Sequence, residues 1–196
     1  MSNKKVNTRK TAIREKILKT AKNLFYENGI QAVGVDKIVA EAKVAKMTLY
    51  SYFPSKDDLI LEYLETSKNH WFEDFHLYLN DKAANDFERL SASFKYLRKL
   101  FNDSEYFRGC AFINASMELA EAQHPAHHIS LDFQDTLRQC FENWAANSQL
   151  NSPRQLSYSL LNLFMGATVA ATIEDFPEPL KHAYDTALQL ISIHRK

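Results

Sequence analysis

The amino-acid sequence predicts an all-α protein of nine helices, on two observations. Apolar residues recur at spacings of three and four along most of the chain, which is the period of an amphipathic helix. The 196 residues include only 4 Gly and 5 Pro, too few for the turns of a many-stranded fold. A chain of this length can form one large domain or a small domain joined to a medium one.

Charge divides the chain into two parts, although its formal net charge is zero. Residues 1–56 carry 12 Lys and Arg against 4 Asp and Glu, a net charge of +8. The remainder carries 12 against 20, a net charge of −8. A basic N-terminal part followed by an acidic remainder indicates that the N-terminal part binds a polyanion and that the remainder does not.

The chain begins with a basic arm and an amphipathic helix. Residues 1–10 are mostly polar and are predicted to form a flexible arm. From Thr11 onward apolar residues follow the helical period, and Gly29 stands where a left-handed residue would end the helix. This first helix is basic on its outer face.

Two short helices come next, over residues 35–42 and about 45–53. The second of them turns Leu49 and Phe53 inward, because residues four apart share one face of a helix. Pro54 ends this helix, since proline disfavours a helical conformation in the residue before it.

A long fourth helix is predicted over residues 56–79. Ser55 is typical of an N-cap, and Asp57 and Asp58 suit the first turn because their charge complements the helix dipole. Five more helices follow with short joints, over residues 86–101, 109–123, 127–148, 153–173 and 177–194. Charge and aromatic content change near residue 60, which predicts a boundary between domains at 11–60 and 61–196.

The first three helices have the layout of a helix-turn-helix domain, in which the third helix enters the major groove of DNA. Burial of Leu49 and Phe53 leaves the other side chains of that helix facing outward. Their hydroxyls and amine suit phosphates and base edges. The predicted contact residues are Lys46, Met47, Thr48, Tyr50, Ser51 and Tyr52. The alternative is an ordinary helical hairpin with a solvated charged face.

Residues 11–60 resemble the DNA-binding region of the TetR family of transcriptional regulators. The most specific part of the resemblance is the run Val44-Ala-Lys-Met-Thr-Leu-Tyr-Ser-Tyr-Phe-Pro-Ser-Lys-Asp-Asp-Leu59, with its Thr-Leu-Tyr-x-Tyr-Phe-x-Ser-Lys core. Shorter matches are Ile17-Leu18, Ala21 to Phe25, Asn28-Gly29, Val35 to Ile38 and Ala40 to Ala42.

The resemblance implies a homodimer with an N-terminal helix-turn-helix domain and a C-terminal helical bundle that dimerises and binds a small molecule. It further implies that Tyr52 lies on the DNA flank and that Lys56 holds a phosphate. A phosphate role for Lys56 also makes physical sense because a helix N-terminus attracts anions. The residues implied to reach bases and phosphates are Lys46, Met47, Thr48 and Tyr50.

Three positions depart from the family pattern. Many members have glycine in place of Lys43, a small hydroxyl N-cap in place of Ala45 and glycine in place of Met47. Ala45 has no side-chain acceptor for the recognition helix, which is expected to cost about 1 kcal/mol of local stability. Met47 adds an apolar side chain that could contact a thymine methyl group.

Aromatic residues beyond position 60 suggest an effector pocket for a flat or apolar molecule. Aromatics at helical spacing also form an ordinary core, and that alternative stays open. The predicted lining residues are Trp71, Phe75, Phe94, Phe112, Met117, Phe133, Phe141 and Trp144.

Cys110 and Cys140 are the only cysteines, without the spacing of a disulfide framework or a metal site. The segment from Arg108 to Ala115 resembles one that opens a mid-body helix in a branch of the family, where the cysteine sometimes senses electrophiles or oxidants. Cys110 is therefore either a redox sensor in the first turn of a helix or a small buried hydrophobe.

The last two helices are predicted to form the dimer interface, because the eighth has a small-residue face beside a bulky one and the ninth is apolar on two sides. One side would pack on the body and the other on a second copy, giving the two-fold symmetry of a palindromic operator. The predicted interface residues are Leu160, Phe164, Ala167, Ala171, Tyr184, Leu188 and Ile191.

An oxidative metalloenzyme is the rival hypothesis from another class. The segments Glu73 to His76 and Glu121 to His124 are Glu-x-x-His motifs, two of which occur in di-iron bundles. Against it, His124 directly precedes Pro125 and so lies at a helix end. We expect His124, His127 and His128 to be solvated loop residues, and we predict no metal, no cofactor and no enzyme activity.

We therefore predict a TetR-like repressor that binds a palindromic operator in double-stranded DNA and is released by a small-molecule effector. The alternative is a DNA-binding regulator without a small ligand, controlled by Cys110 oxidation or by a partner protein. Neither a signal peptide nor an apolar run near the ~20 residues of a membrane span is found, so a cytoplasmic location is expected.

Overall fold

The computed structural model describes residues 2–105, 107–119, 121 and 123–195, with side chains from residue 10 onward. These residues form nine α-helices and no strand, which confirms the predicted all-α fold. The helices are α1 (Ser2–Asn28), α2 (Val35–Glu41), α3 (Lys46–Tyr52), α4 (Lys56–Lys82), α5 (Asp86–Asp103), α6 (Ala111–Glu118), α7 (Ala126–Asn147), α8 (Pro153–Glu174) and α9 (Glu178–Ile193).

Most helix ends lie close to their predicted positions, and the N-terminal arm is the main exception. The backbone is helical from Ser2, so α1 includes most of the segment that was predicted to be a flexible arm. Helix α6 is also shorter than the predicted 109–123, because it begins at Ala111 and ends at Glu118.

The chain forms two compact units. The N-terminal unit comprises Met1–Ser67 and Ala111–Ser130, and the C-terminal unit comprises Lys68–Cys110 and Leu131–Lys196. The predicted domain boundary near residue 60 therefore misplaces α6 and the start of α7, which belong to the N-terminal unit.

A buried core joins the first three helices of the N-terminal unit, where α1, α2 and α3 pack against one another. Ile17, Ile38 and Leu49 are fully buried in it, one from each helix. The first half of α4 adds Tyr63, whose ring lies 5.6 Å from that of Phe25. These contacts fix the orientation of α3, which is too short to be a stable helix alone.

Two turns of this unit require left-handed backbone. Gly29 ends α1 with a φ of +89°, as predicted, and its N–H donates to the carbonyl of Phe25 at 3.0 Å. Lys43 adopts a φ of +51° in the turn between α2 and α3. A residue with a Cβ is strained there, which explains physically why a glycine would suit that position.

The C-terminal unit is built around α5, α8 and α9, with α9 packed on both of the others. Helix α8 is long and apolar enough, by length and composition, to cross a membrane, so the expectation of no such run was wrong. Nearly half of that apolar segment is buried inside the protein, however, as in the core helix of a folded domain. Its buried residues include Leu156, Leu160, Phe164 and Ala171.

Candidate nucleic-acid interface

Helix α3 is held by its inward face. Leu49 is fully buried and Phe53 is 2% exposed, so both predicted inward residues lie in the core. The guanidinium of Arg14 lies 5.1 Å from the centre of the Phe53 ring and also pairs with Glu62 at 2.9 Å. Helices α1 and α4 therefore brace the end of α3 from behind.

The opposite face of α3 is open to solvent. Met47 is 86% exposed and Tyr50 is 41% exposed, and Lys46 and Ser51 are exposed as well. Thr48 and Tyr52 are half-buried at the sides of this face. The six predicted contact residues thus lie on the accessible part of one short helix, as a groove-reading helix requires.

The start of α3 lacks a side-chain cap. Ala45 is the N-cap residue with extended backbone, and its carbonyl accepts the N–H groups of Thr48 and Leu49 at 2.9 and 3.2 Å. Its methyl group cannot accept a hydrogen bond from the first turn. By contrast, Ser55 caps α4 as predicted, because its hydroxyl accepts the N–H of Asp58 at 3.0 Å.

Lys46 is oriented by α2. Its ammonium group lies 2.8 Å from the carboxylate of Asp36, and both side chains are exposed. Hydrogen bonding and charge attraction to Asp36 raise the pKa of Lys46. The cation therefore stays charged at the beginning of the helix, and a phosphate would compete with Asp36 for it.

Lys56 was expected to hold a phosphate, but its side chain already has a partner within the protein. Its ammonium donates to the carbonyl of Ile30 at 2.7 Å and lies 6.0 Å from the centre of the Phe25 ring. Burial lowers its pKa, although the charges of Asp57 and Glu118 oppose the shift. Lys56 thus first stabilises the turn after α1, and two of its three N–H donors stay available to a phosphate.

Glu118 is a structural residue of this unit that sequence reasoning did not find. Its carboxylate accepts the backbone N–H of Gln31 at 2.9 Å, across 87 positions of sequence. A Cβ at Gly29 would lie 3.0 Å from the same carboxylate, so the positive φ favours glycine and a side chain there would also displace the end of Glu118. No periodicity or motif connects α6 to this turn, and only the folded chain shows the contact.

The residues predicted to line an effector pocket are divided between the two units. Six of them pack ring against ring in the C-terminal unit, with Trp71 centred 4.7 Å from Phe75 and 4.9 Å from Phe133. The remaining two, Phe112 and Met117, belong to the N-terminal unit. Five of the six rings are buried and Trp71 is half-buried; the five are Phe75, Phe94, Phe133, Phe141 and Trp144.

The two cysteines have different surroundings. Cys110 is half-buried and directly precedes α6, one residue before the first turn in which a dipole effect was expected. Cys140 packs against the core of the C-terminal unit, and burial raises its pKa to about 11. Cys140 therefore stays a neutral thiol at physiological pH.

Five residues predicted at the dimer interface are covered by their own chain, which corrects that prediction. Leu160, Phe164, Ala167, Ala171 and Ile191 are all buried in the C-terminal core. Only Leu188, at 41% exposure, and the half-buried Tyr184 reach the surface.

The exposed side of α8 carries apolar residues instead. Tyr158, Met165, Val169 and Ile173 follow one another at helical spacing, and we call them the outer α8 stripe. Val169 and Ile173 are 40% and 79% exposed. The predicted α8 interface residues do not include this stripe.

The histidines form no metal centre. Within the described part of the chain, no group of three or more His, Cys, Asp or Glu side chains could hold a metal ion. The ring of His124 accepts the N–H of Ala126 at 3.1 Å, and that of His127 donates to the carbonyl of Leu119 at 2.8 Å. These two rings thus fasten the start of α7, where solvated side chains had been expected.

Comparison with known proteins decides the family. Residues 17–63 match the family model described as "Bacterial regulatory proteins, tetR family". Residues 87–187, just over half of the chain, match the model described as "Tetracyclin repressor-like, C-terminal domain". The chain belongs to the TetR family of transcriptional regulators. The family resemblance of residues 11–60 is thereby confirmed.

Individual transcriptional regulators resemble the chain over part or most of its length. The transcriptional repressor NemR of Escherichia coli is 25% identical over 177 residues, covering 87% of this chain and 89% of NemR. QacR of Staphylococcus aureus is 38% identical over 61 residues, covering 31% of this chain and 32% of QacR. The crystal structure of SCO4454, a TetR-family regulator from Streptomyces coelicolor, superposes with a TM-score of 0.87 at 27% identity, covering 95% of this chain and 97% of SCO4454.

Proposed function

We propose that this TetR-family regulator is a homodimeric, cytoplasmic, non-enzymatic repressor that binds a palindromic operator and is released by a small-molecule effector. The outward face of α3 carries the proposal. It presents the exposed Met47 and Tyr50 opposite the buried Leu49. The exposed apolar side chain of Met47 is suited to contact a thymine methyl group in the major groove.

The residues of α3 divide by chemistry. Met47 and Thr48 stand in the first turn, where a recognition helix meets base edges. Lys46 and the hydroxyl of Tyr50 suit the phosphates on either side of the groove. Ser51 already donates its hydroxyl to the carbonyl of Thr48 at 2.7 Å, so towards DNA it acts as an acceptor.

The outer α8 stripe supports a homodimer. A helix that is apolar on all sides is normally covered on all sides. The inner face of α8 is covered by its own chain, whereas Val169 and Ile173 remain exposed. A second copy that presents the same stripe would bury both and would supply the two-fold symmetry of a palindrome.

Release by an effector requires that the position of α3 depends on parts of the chain outside the first three helices. The turn after α1 is fastened by Lys56 at the start of α4 and by Glu118 at the end of α6. An effector that binds one conformation of these helices more tightly would change the position of α3.

A regulator controlled by Cys110 is the second candidate, because Cys110 is half-buried beside the start of α6, whereas burial raises the pKa of the Cys140 thiol to about 11. A thermal-shift screen with small molecules separates release by an effector from control by Cys110. An effector raises the melting temperature because it binds only the native state. If oxidation releases DNA from the wild type but not from Cys110→Ser, the redox candidate replaces the effector.

Operator binding is tested by titrating the full-length protein against a palindrome from its own upstream region and against a scrambled duplex, at several salt concentrations. The palindrome should bind about 1,000-fold more tightly or better. Lys46→Gln should lower the slope of log affinity against log salt by about one unit, whereas the control Lys82→Gln, in the C-terminal unit, should not. Equal affinity for both duplexes would remove the proposal.

A further inference from the structure

A cleft on the C-terminal unit has a chemistry that DNA binding does not use. It has a volume of about 270 Å³ and lies between α4, α5 and α9. Six of its lining residues carry polar groups, and Phe94 contributes part of the apolar wall. The six are Tyr78, Lys95, Arg98, Lys99, Asn102 and Tyr184.

Three cations stand close together on one face of α5. Lys95, Arg98 and Lys99 are spaced three and four residues apart, so their charges repel one another on the isolated helix. Lys99 is compensated by Asp103, at 2.6 Å. Within the residues that the structure describes, Lys95 and Arg98 have no carboxylate partner.

This concentration of positive charge contrasts with the rest of the region. Residues 57–196 have a net charge of −8, with 12 Lys and Arg among them, and three of the twelve line this one cleft. A bound anion would relieve the repulsion among them. Arg98 is the strongest candidate to hold it, because a guanidinium presents two parallel donors to a carboxylate.

The walls of the cleft are aromatic. The ammonium of Lys95 lies 5.4 Å from the centre of the Tyr184 ring, and the ring of Tyr78 lies 5.3 Å from that of the buried Tyr96, tilted by 50°. Tyr78 and Tyr184 thus offer ring surface as well as hydroxyls, and Asn102 adds an amide. Cations beside aromatic rings recognise a ligand that has both a negative group and a flat apolar part.

We propose that this cleft binds a small organic anion with a flat apolar group, of which an aryl carboxylate is the simplest example. Its volume lies just below the ~300–1,000 Å³ of pockets for drug-sized molecules, which favours a ligand of one or two rings. The carboxylate pairs with Arg98 and Lys95, and the ring lies along Tyr184. A role of this ligand as the effector rests on the proposed function, whereas its binding does not.

The proposal is tested with 2-naphthoate and the uncharged 2-naphthamide, titrated by calorimetry into the full-length protein. Naphthoate should bind, and naphthamide should bind about tenfold more weakly or worse, since it lacks the charge-assisted hydrogen bonds. Arg98→Gln should weaken naphthoate by a similar factor. Lys181→Gln is the matched control, because Lys181 is an exposed α9 lysine outside the cleft, paired only with Glu178 at 3.3 Å.

The site would be overturned by no binding of naphthoate at millimolar concentration, or by equal binding of the acid and the amide. Unchanged naphthoate affinity in Arg98→Gln would also overturn it. For the effector role, naphthoate should weaken operator binding in the wild type and fail to do so in Arg98→Gln. If the ligand-free protein binds its palindrome and scrambled DNA equally, the proposed function is wrong. The calorimetric evidence for the cleft does not depend on that result.

Discussion

Adding one oxygen atom to the side chain of Ala45 should change the stability of α3. This residue holds the N-cap position of α3 and offers no side-chain acceptor to the first turn. Ala45→Ser should raise the free energy of unfolding by about 1 kcal/mol, because its hydroxyl can accept a first-turn N–H. Urea denaturation measures the change.

The control is Ala40→Ser, which places the same side chain on the exposed surface of α2. Serine within a helix is less favourable than alanine by roughly 0.5 kcal/mol, so this variant should be slightly less stable than the wild type. A stabilisation by both substitutions would show that the cap has no part in the effect.

Helix α6 should stabilise the turn after α1 through its last residue. Glu118→Ala removes the acceptor of the Gln31 N–H, and the exchange of that amide with solvent should become about fivefold faster for a lost bond of ~1 kcal/mol. Glu118→Gln keeps an acceptor oxygen and should exchange at nearly the wild-type rate. Amide exchange measured by NMR checks both, and identical rates in all three proteins would contradict the contact.

Helix α8 should hold two copies together through its outer stripe. Ile173→Asp places a charge where the side chain is 79% exposed in one chain and buried in the proposed dimer. Its dimer dissociation constant should rise about 100-fold or more, because an unpaired buried charge costs several kcal/mol. Sedimentation measures the change, and Asn143→Asp, at an exposed position of α7 away from the outer stripe, is the control. An unchanged dimer would place the interface elsewhere.

At the scale of the whole molecule, the periodic patterns of the sequence predicted the helices but not which helices pack against one another. Gly29, Leu49, Phe53 and Ser55 were assigned from local rules, and the structure places each as those rules require. The contact of α6 with the turn after α1 was not predicted, because a hydrogen bond across 87 residues leaves no local pattern in the sequence.

The burial of five predicted interface residues was missed for a related reason. Leu160 and Ile173 are equally apolar in the sequence, and only the packing of α5 and α9 decides which of them is buried. The cleft of α5 and α9 was missed because Arg98 and Tyr184 lie on different helices, and neither carries a recognisable motif.

The central claim is that two copies of α3 contact successive major grooves of one palindrome. Its most direct test is the affinity of the protein for its operator before and after about five base pairs are inserted between the half-sites, which turns them onto opposite faces of the duplex. The dimer should then bind only about as tightly as it binds non-specific DNA, a loss of about 1,000-fold or more. Equal affinity for the two duplexes would contradict the account.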